Sequence, residues 1–313
     1  MSKPHPNLLI IGGAHVDRLA RLKGPHIAQT SNPVDVTEGV GGGSFNAARA
    51  AKRIGLNISM LSARGGDAAG VLVEDAIAAA GIADLSSVHL DRATPSYTAI
   101  LQPDGELVTA IADMGLYETG ISRSFKRAPV QKAAALADAI LCDANLTAIG
   151  LLGVFTEVAH GKPVYALAVS ATKIERLSRL LPYIACLFMN RFEAAALTGL
   201  PEDASMTDFG DALLGKKLFR AVITAGAEPA MFIDGDTITM LKPPPIKVVD
   251  VTGAGDCLAG TMVAALLKGF GFIEAAKLGL AAASLTASRQ GASPEISLNE
   301  IEALAASHQW NIK

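Results

Sequence analysis

The chain has little cysteine, few aromatic side chains and little charge. Three cysteines, Cys142, Cys186 and Cys257, stand far apart among 313 residues. An odd number with no Cys-x-x-Cys pair argues against a disulfide framework or a thiolate zinc site, and points to a reducing cytoplasm. Aromatics make up 5%, too few for a base-stacking surface. A net charge of −3 supplies no basic field for nucleic acid or anionic lipid. No apolar run reaches the roughly 18 residues of a membrane span. The richest stretch, 151–170, is broken by Glu157, His160 and Lys162. Leu8–Ile11 is short and soon followed by His15, Asp17 and Arg18, so it is expected to be a strand and not an export segment.

Three chemical signatures are missing too. No Gly-Lys-Ser/Thr completes a phosphate loop, and no Gly-x-Gly-x-x-Gly follows the first strand, which disfavours a dehydrogenase. No Gly-x-Ser-x-Gly supplies a hydrolase nucleophile. The histidines, including His15, His26, His89 and His160, show no ligand spacing and are expected to be surface or core residues.

What is present is a chain with 50% hydrophobic residues, which excludes disorder. Strands are expected at Leu8–Ile11, Ser59–Ala63, Ile140–Cys142, Val164–Ala168, Cys186–Met189 and Ala221–Thr224. Helices are expected at 45–54, 68–80, 131–137, 147–159, 173–180, 191–198, 207–216, 254–268, 273–287 and 298–306. The alternation predicts an α/β domain over 1–313 with a mostly parallel central sheet. Residues 86–111 read differently. Thr94–Leu101 and Glu106–Ile111 flank Gln102-Pro103-Asp104-Gly105, a hairpin turn in which proline presets φ and glycine supplies φ > 0. With Val34–Glu38 they form a small β-element, read as a lid or a dimer contact.

Four motifs carry chemical promise. Gly253-Ala254-Gly255-Asp256 opens an apolar helix; its backbone N–H groups and the helix dipole suit an anion. Asp256 beside such a nest suggests a base that takes a hydroxyl proton, although a turn with a first-turn acid fits the same residues. Gly39-Val40-Gly41-Gly42-Gly43-Ser44-Phe45-Asn46 runs into a helix, with Asn46 offering donor and acceptor to hydroxyls; a flexible turn is the alternative. Ile11-Gly12-Gly13-Ala14-His15-Val16-Asp17 puts Asp17 at a sheet edge, where it takes vicinal hydroxyls or merely caps a turn. Asn190-Arg191-Phe192-Glu193 shares one face of a first turn, suited to hydrated Mg²⁺ or to a capping box.

In this order and spacing, the motifs resemble the ribokinase (PfkB) family of carbohydrate and nucleoside kinases, over nearly the whole chain. The most specific part is Asp250-x-Thr252-Gly253-Ala254-Gly255-Asp256 with Gly260. The resemblance implies a ribokinase-like three-layer α/β/α sandwich with a β-sheet lid, and ATP and Mg²⁺ as partners in catalysis. It makes Asp256 the catalytic base and Gly253, Ala254 and Gly255 the anion hole. It gives the acceptor to Asp17, Gly42, Gly43, Asn46 and Asp143, the Mg²⁺–phosphate network to Asn190 and Glu193, and the nucleotide site to Thr224 and Gly226. Asp250, with carbonyls near Ser284–Gly291, resembles a monovalent-cation site such as K⁺ occupies.

Within the family, Ser96-Tyr97, Ala110-Ile111-Ala112-Asp113-Met114, Asp143-Ala144-Asn145 and Val169-Ser170-Ala171-Thr172-Lys173 resemble pseudouridine kinases. Asp113 is then placed to accept from the extra ring N–H of a C-linked uracil, or it only closes the turn after its strand. Ser44, Leu167 and Pro229 depart from the family pattern. The reading is an ATP-dependent kinase of a primary hydroxyl on a sugar or nucleoside, with pseudouridine the leading acceptor and ribose, fructose or another nucleoside the alternatives. A weakly catalytic sugar- or nucleotide-binding regulator is the competing class, motivated by Leu167 and Pro229. A homodimer through the lid is expected; nucleic-acid and membrane partners are not.

Overall fold

Strands joined by helical crossovers end up parallel, and the apolar runs of this chain follow that rule. The computed structural model describes residues 5–310. In chain order the strands are β1 (Asn7–Ile11), β2 (His15–Leu22), β3 (Val34–Gly41), β4 (Asn57–Leu61), β5 (Ala63–Gly65), β6 (Ala83–Asp84), β7 (Ser87–His89), β8 (Ser96–Leu101), β9 (Leu107–Asp113), β10 (Ala139–Asp143), β11 (Val164–Leu167), β12 (Cys186–Asn190), β13 (Arg220–Ala225), β14 (Glu228–Asp234) and β15 (Thr237–Leu241). The α-helices are α1 (Gly43–Arg53), α2 (Ala68–Ala79), α3 (Gly115–Gly120), α4 (Ala128–Leu136), α5 (Ala148–Gly153), α6 (Arg191–Thr198), α7 (Met206–Gly215), α8 (Ala254–Leu267), α9 (Phe272–Ala287) and α10 (Leu298–Ser307).

The main sheet has nine strands in the order β15-β14-β13-β12-β11-β10-β1-β4-β6. Every pairing from β6 to β13 is parallel, and only β13–β14 and β14–β15 are antiparallel. β1 lies between β10 and β4, so its side chains are covered on both faces. Leu8 and Ile10 join one core with Phe45, Val73, Leu258, Leu280 and Ile301, from α1, α2, α8, α9 and α10. Leu9 and Ile11 join the opposite core with Tyr117, Val130, Leu151, Leu197 and Phe209, from α3 to α7. The result is the expected three layers.

A separate four-stranded sheet runs β3-β2-β8-β9. The hairpin predicted at 102–105 is present, with Gly105 at φ +97 and a register shift at Ile100/Leu101. β2 was not expected. After Ile11 the chain turns through Gly12-Gly13-Ala14 and starts this strand at His15. Asp17 therefore stands in the small sheet, paired with Gly39 and Tyr97, and not on the edge of the main one. The buried Val16, Ala20 and Leu22 alternate with partly exposed residues, a period of two that small and charged residues disguised.

Other expectations shift. β14 and β15 form an antiparallel hairpin where the sequence predicts no strand. Pro229, which argues against a strand, sits beside the register shift at Ile223/Ala225, where the ladder is interrupted. The helix expected at 173–180 is instead two 3₁₀ turns, Ile174–Leu177 and Leu181–Tyr183. The one expected at 147–159 is α-helical only to Gly153 and widens to a π-turn over Val154–Val158. α4 begins three residues early, with Pro129 in its first turn, where a missing N–H has no cost.

Candidate active site

Gly253 starts α8 with φ +73, and a β-carbon there would lie 1.9 Å from the Ala292 carbonyl oxygen. Only glycine fits, and the close approach lays the 289–295 segment against the start of α8. Within the turn, Ala254 N–H donates to Val251 O at 3.2 Å. Among the described residues, the N–H groups of Gly253, Gly255 and Asp256 have no acceptor. These three free amides at a helix N-terminus make an anion nest shifted by one residue from the expected one.

Asp256 faces Asn46 on the first turn of α1. Asn46 Nδ2 donates to Asp256 Oδ2 at 3.0 Å. Burial pushes the Asp256 carboxyl up to about 6, helped by the negative Asp143 and Asp17; the Asn46 hydrogen bond and His15 pull it down. Two glycines let α1 begin here. Gly42 has φ +108 and no room for a β-carbon beside Gly13 O, and Gly43 lies against Asp256 Oδ1.

Asp17 approaches from β2. A β-carbon on Gly41 would meet its Oδ2 at 2.0 Å. His15 Nε2 stands 3.1 Å from Asp17 Oδ1, but that oxygen accepts no hydrogen bond. Asn46 Oδ1 is also buried without a partner. Buried acceptors of this kind are rare and mark places that a donor on a ligand can complete.

Asp143 is placed differently from its expected role. It is fully buried at the end of β10 and accepts from Gly13 N and Ser44 Oγ at 2.8 Å and from Asn145 N at 2.9 Å. Its carboxylate braces the Gly12–Gly13 turn, and Ser44 is one of its donors. Asp113 also stands apart. It is exposed, and the register aligns it with Ser96 and Val16, on the sheet face opposite Asp17 and Tyr97.

On the other side of Asp256 lies a cavity of about 190 Å³. Leu167, Val169, Phe188, Val222 and Leu258 supply apolar wall; Asn190, Glu193, Thr224, Gly255 and Asp256 supply polar groups. Asn190 and Glu193 form a reciprocal capping box on α6, with Glu193 N–H donating to Asn190 Oδ1 at 2.9 Å and Asn190 N–H to Glu193 Oε2 at 2.7 Å. Burial, reinforced by Asp256, raises the Glu193 carboxyl to about 7 against the pull of Asn190 N–H. No cluster of three metal-ligating side chains exists among the described residues. Two carboxylates, Glu193 and Asp256, line the cavity, a small donor set that fits Mg²⁺, which keeps waters and takes phosphate oxygens as ligands. Gly226 does not line this cavity; at φ +63 it turns the β13–β14 hairpin. Asp250 accepts from Thr252 N at 2.9 Å and Gly291 N at 3.0 Å. Burial raises its carboxyl, but these hydrogen bonds outweigh it and hold the group low. Each oxygen retains a lone pair, which suits a cation.

Sequence reasoning passed over three features. His15 and Tyr117 meet across 102 residues, a contact no local pattern shows. Lys173 Nζ donates to Asn145 Oδ1 at 2.7 Å, joining two of the segments quoted for their resemblance. Val169, β-branched, adopts φ +70 and closes a three-residue turn with Ser170 N–H donating to Ala168 O at 2.9 Å. A positive φ in such a residue was detectable only in the backbone.

Comparison with known proteins matches the chain to one family. The family model for pfkB carbohydrate kinases matches residues 6–298. A carbohydrate kinase from Agrobacterium tumefaciens superposes with a TM-score of 0.84 at 40% identity, over 96% of this chain and 97% of that one. The pseudouridine kinase of Escherichia coli is 26% identical over 312 residues, 95% of this chain and 96% of its own. Arabidopsis thaliana ribokinase, solved with ribose and ATP, shares the fold at a TM-score of 0.80 and 21% identity, covering 96% and 99%. The chain, with Asp256 beside the free amides that open α8, thus belongs to the pfkB family of carbohydrate kinases, phosphotransferases that act on a hydroxyl group.

Proposed function

We propose that the chain transfers the γ-phosphate of ATP to a primary hydroxyl of a ribosyl compound, with pseudouridine the leading acceptor. One observation supports this above the others: two buried oxygens that accept no hydrogen bond among the described residues, Asp17 Oδ1, which has only the ion contact to His15 Nε2, and Asn46 Oδ1, stand on the acceptor side of Asp256. A polyol supplies the donors they lack. Asp256 takes the proton of the attacking hydroxyl, and a carboxyl near 6 is charged yet still basic at neutral pH. The amides of Gly253, Gly255 and Asp256 hold the transferred group's negative charge. Glu193 and Asn190 would hold the hydrated Mg²⁺, whose chemistry is to neutralise phosphate charge. Asp250 would hold a monovalent cation such as K⁺.

The small sheet carries Asp17 and acts as a lid on a single α/β domain. Its exposed Val36, Leu107 and Ile111 support a homodimer contact. Sedimentation velocity tests it, and a monomer at micromolar concentration would rule it out. Three free buried cysteines and the use of ATP fit the cytoplasm. No helix among the described residues is long and apolar enough to cross a membrane.

Resemblance to pseudouridine kinases in the 96–114, 143–145 and 169–173 segments supports pseudouridine, while the ribokinase likeness keeps free ribose as the alternative. ADP release with pseudouridine, uridine, adenosine, ribose and fructose tests both. Turnover with none of them would leave a binding protein on the same fold.

A further inference from the structure

Arg53, in the last turn of α1, turns its guanidinium onto one short stretch of distant backbone. Its Nη2 donates to Ser293 O at 3.1 Å, to Ser293 Oγ at 3.0 Å and to Pro294 O at 2.6 Å. One nitrogen with two hydrogens thus serves three acceptors, while Nη1 is buried without a partner among the described residues. Burial lowers the pKa of this guanidinium. A charge kept from water is costly, and the hydrogen bonds to Ser293 and Pro294 offset that cost. The strap they hold, 291–295, meets the active site with its other side. Ala292 O lies where a β-carbon on Gly253 would come within 1.9 Å of it. Gly291 N–H donates to Asp250 Oδ2 at 3.0 Å. Arg289 closes the strap by donating to Glu295 O. The turn at 250–253 therefore leans on a strap that Arg53 pins to α1.

Resting on the kinase reading above, we propose that Arg53 is a positioning residue for phosphoryl transfer: by clamping the 291–295 strap between α1 and the 250–253 turn, it fixes the direction of the Gly253, Gly255 and Asp256 amides. It acts through Ser293, Ala292 and Gly253 in turn. Amides stabilise a transferring group only when they are already aimed at it, and a misplacement of about 1 Å can cost about 10²-fold in rate. Asn46 lies on the same helix, two turns before Arg53, and bonds Asp256 on the acceptor side. A movement of α1 itself would therefore be felt in acceptor binding. A movement of the strap alone is felt in the transfer step.

Arg53→Met keeps the stem and removes the donors. kcat should fall about tenfold or more, with the acceptor KM within about threefold of wild type. Arg53→Lys should recover part of kcat, since an ammonium presents three hydrogens on one nitrogen to the three acceptors, though from a shorter stem. Ser293→Ala, which removes one acceptor, should lower kcat less, and adding it to Arg53→Met should lower kcat little further. Should Arg53→Met fail to fold, Arg53→Lys and Ser293→Ala carry the test, each lowering kcat a few fold at an unchanged acceptor KM. A lowered melting temperature with wild-type kcat would reduce Arg53 to packing. An acceptor KM that rises in step with the fall in kcat would move the effect onto α1. Either result overturns the proposal. Backbone amide NMR of the unliganded protein needs no turnover. The Gly253, Gly255 and Gly291 signals should move in Arg53→Met or Ser293→Ala, while those of Gly12 and Gly13 stay in place. Unmoved Gly253 and Gly291 signals would overturn the proposal whatever the enzyme phosphorylates. If the wild type phosphorylates nothing, the kinase reading and the transfer role fall together, and the amide shifts still decide whether Arg53 sets the turn.

Discussion

The carbonyl oxygen of Ala47 lies where a β-carbon on Gly260 would come within 2.2 Å of it. Helices α1 and α8 cross at that point with backbone against backbone. The crossing sits one turn below the hydrogen bond from Asn46 to Asp256, so the closeness of the two helices sets the reach of that bond. Gly260→Ala should force the helices apart. Overpacking of this kind costs about 1–3 kcal/mol, so the melting temperature should fall by several degrees. Activity should fall further than stability explains, because the Asn46–Asp256 contact lengthens. Thermal unfolding and kcat measured on the same preparation check both.

Asp256→Asn keeps the shape of the side chain and removes the base. kcat should drop by roughly 10²–10⁴-fold, the usual scale for losing a general base, with acceptor binding little changed. Pre-steady-state phosphoryl transfer checks it, and a near wild-type rate would remove Asp256 from the chemistry.

The pH profile follows from the raised carboxyl. A base works only when deprotonated, so kcat/KM should decline as pH falls through about 6. Stability runs the other way. An acid whose folded value is raised above its unfolded one favours the folded state below the unfolded value, and that contribution is lost as pH rises through the folded value. Asp256 at about 6 and Glu193 at about 7 both behave so. Wild type should lose stability relative to Asp256→Asn between pH 4 and pH 7, and the two should converge near pH 3. Melting curves across that range measure the difference.

Asp17→Ala removes one of the two buried acceptors. Acceptor affinity should weaken by about 1.5–3 kcal/mol, the worth of hydrogen bonds to a charged group, while nucleotide affinity stays unchanged. Calorimetry with each ligand separates the two.

Asp113→Ala should leave the ratio of pseudouridine to uridine activity as it is in wild type, because the residue is exposed on the face opposite Asp17. A collapse of that ratio in competition assays would show that the lid end rearranges on binding.

The asymmetry between Asp256 and Asp113 shows what the chain made readable. β1 and β10 to β13 were evident because strands covered on both faces are continuous apolar runs. The start of α8 was evident because glycines ahead of an apolar helix have few other uses. Asp113 was misplaced because its face depends on the register of β8 against β9 and of β8 against β2, which no local pattern carries. Asp143 has the composition of a ligand carboxylate, yet three donors from two other segments and its own turn consume it. His15 shows no ligand spacing in the sequence because its partners are its neighbour Asp17 and a tyrosine in a distant helix. β14 was hidden by Pro229, whose missing N–H falls where the ladder is already interrupted.

The hydrogen bond from Asn46 to Asp256 joins residues 210 positions apart. During synthesis at about 5–20 residues per second, Asn46 leaves the ribosome roughly 10–40 s before Asp256 does. β1 cannot be completed early either, since it waits between β4, close in sequence, and β10, more than a hundred residues on. A chain stalled before α8 holds Asp17 and Asn46 but neither Asp256 nor the free amides of the 253–256 turn, and the α1 surface that α8 would cover stays open. The contact between Asn46 and Asp256 therefore forms late in synthesis, and until it does the face of α1 around Ala47 has no helix packed against it.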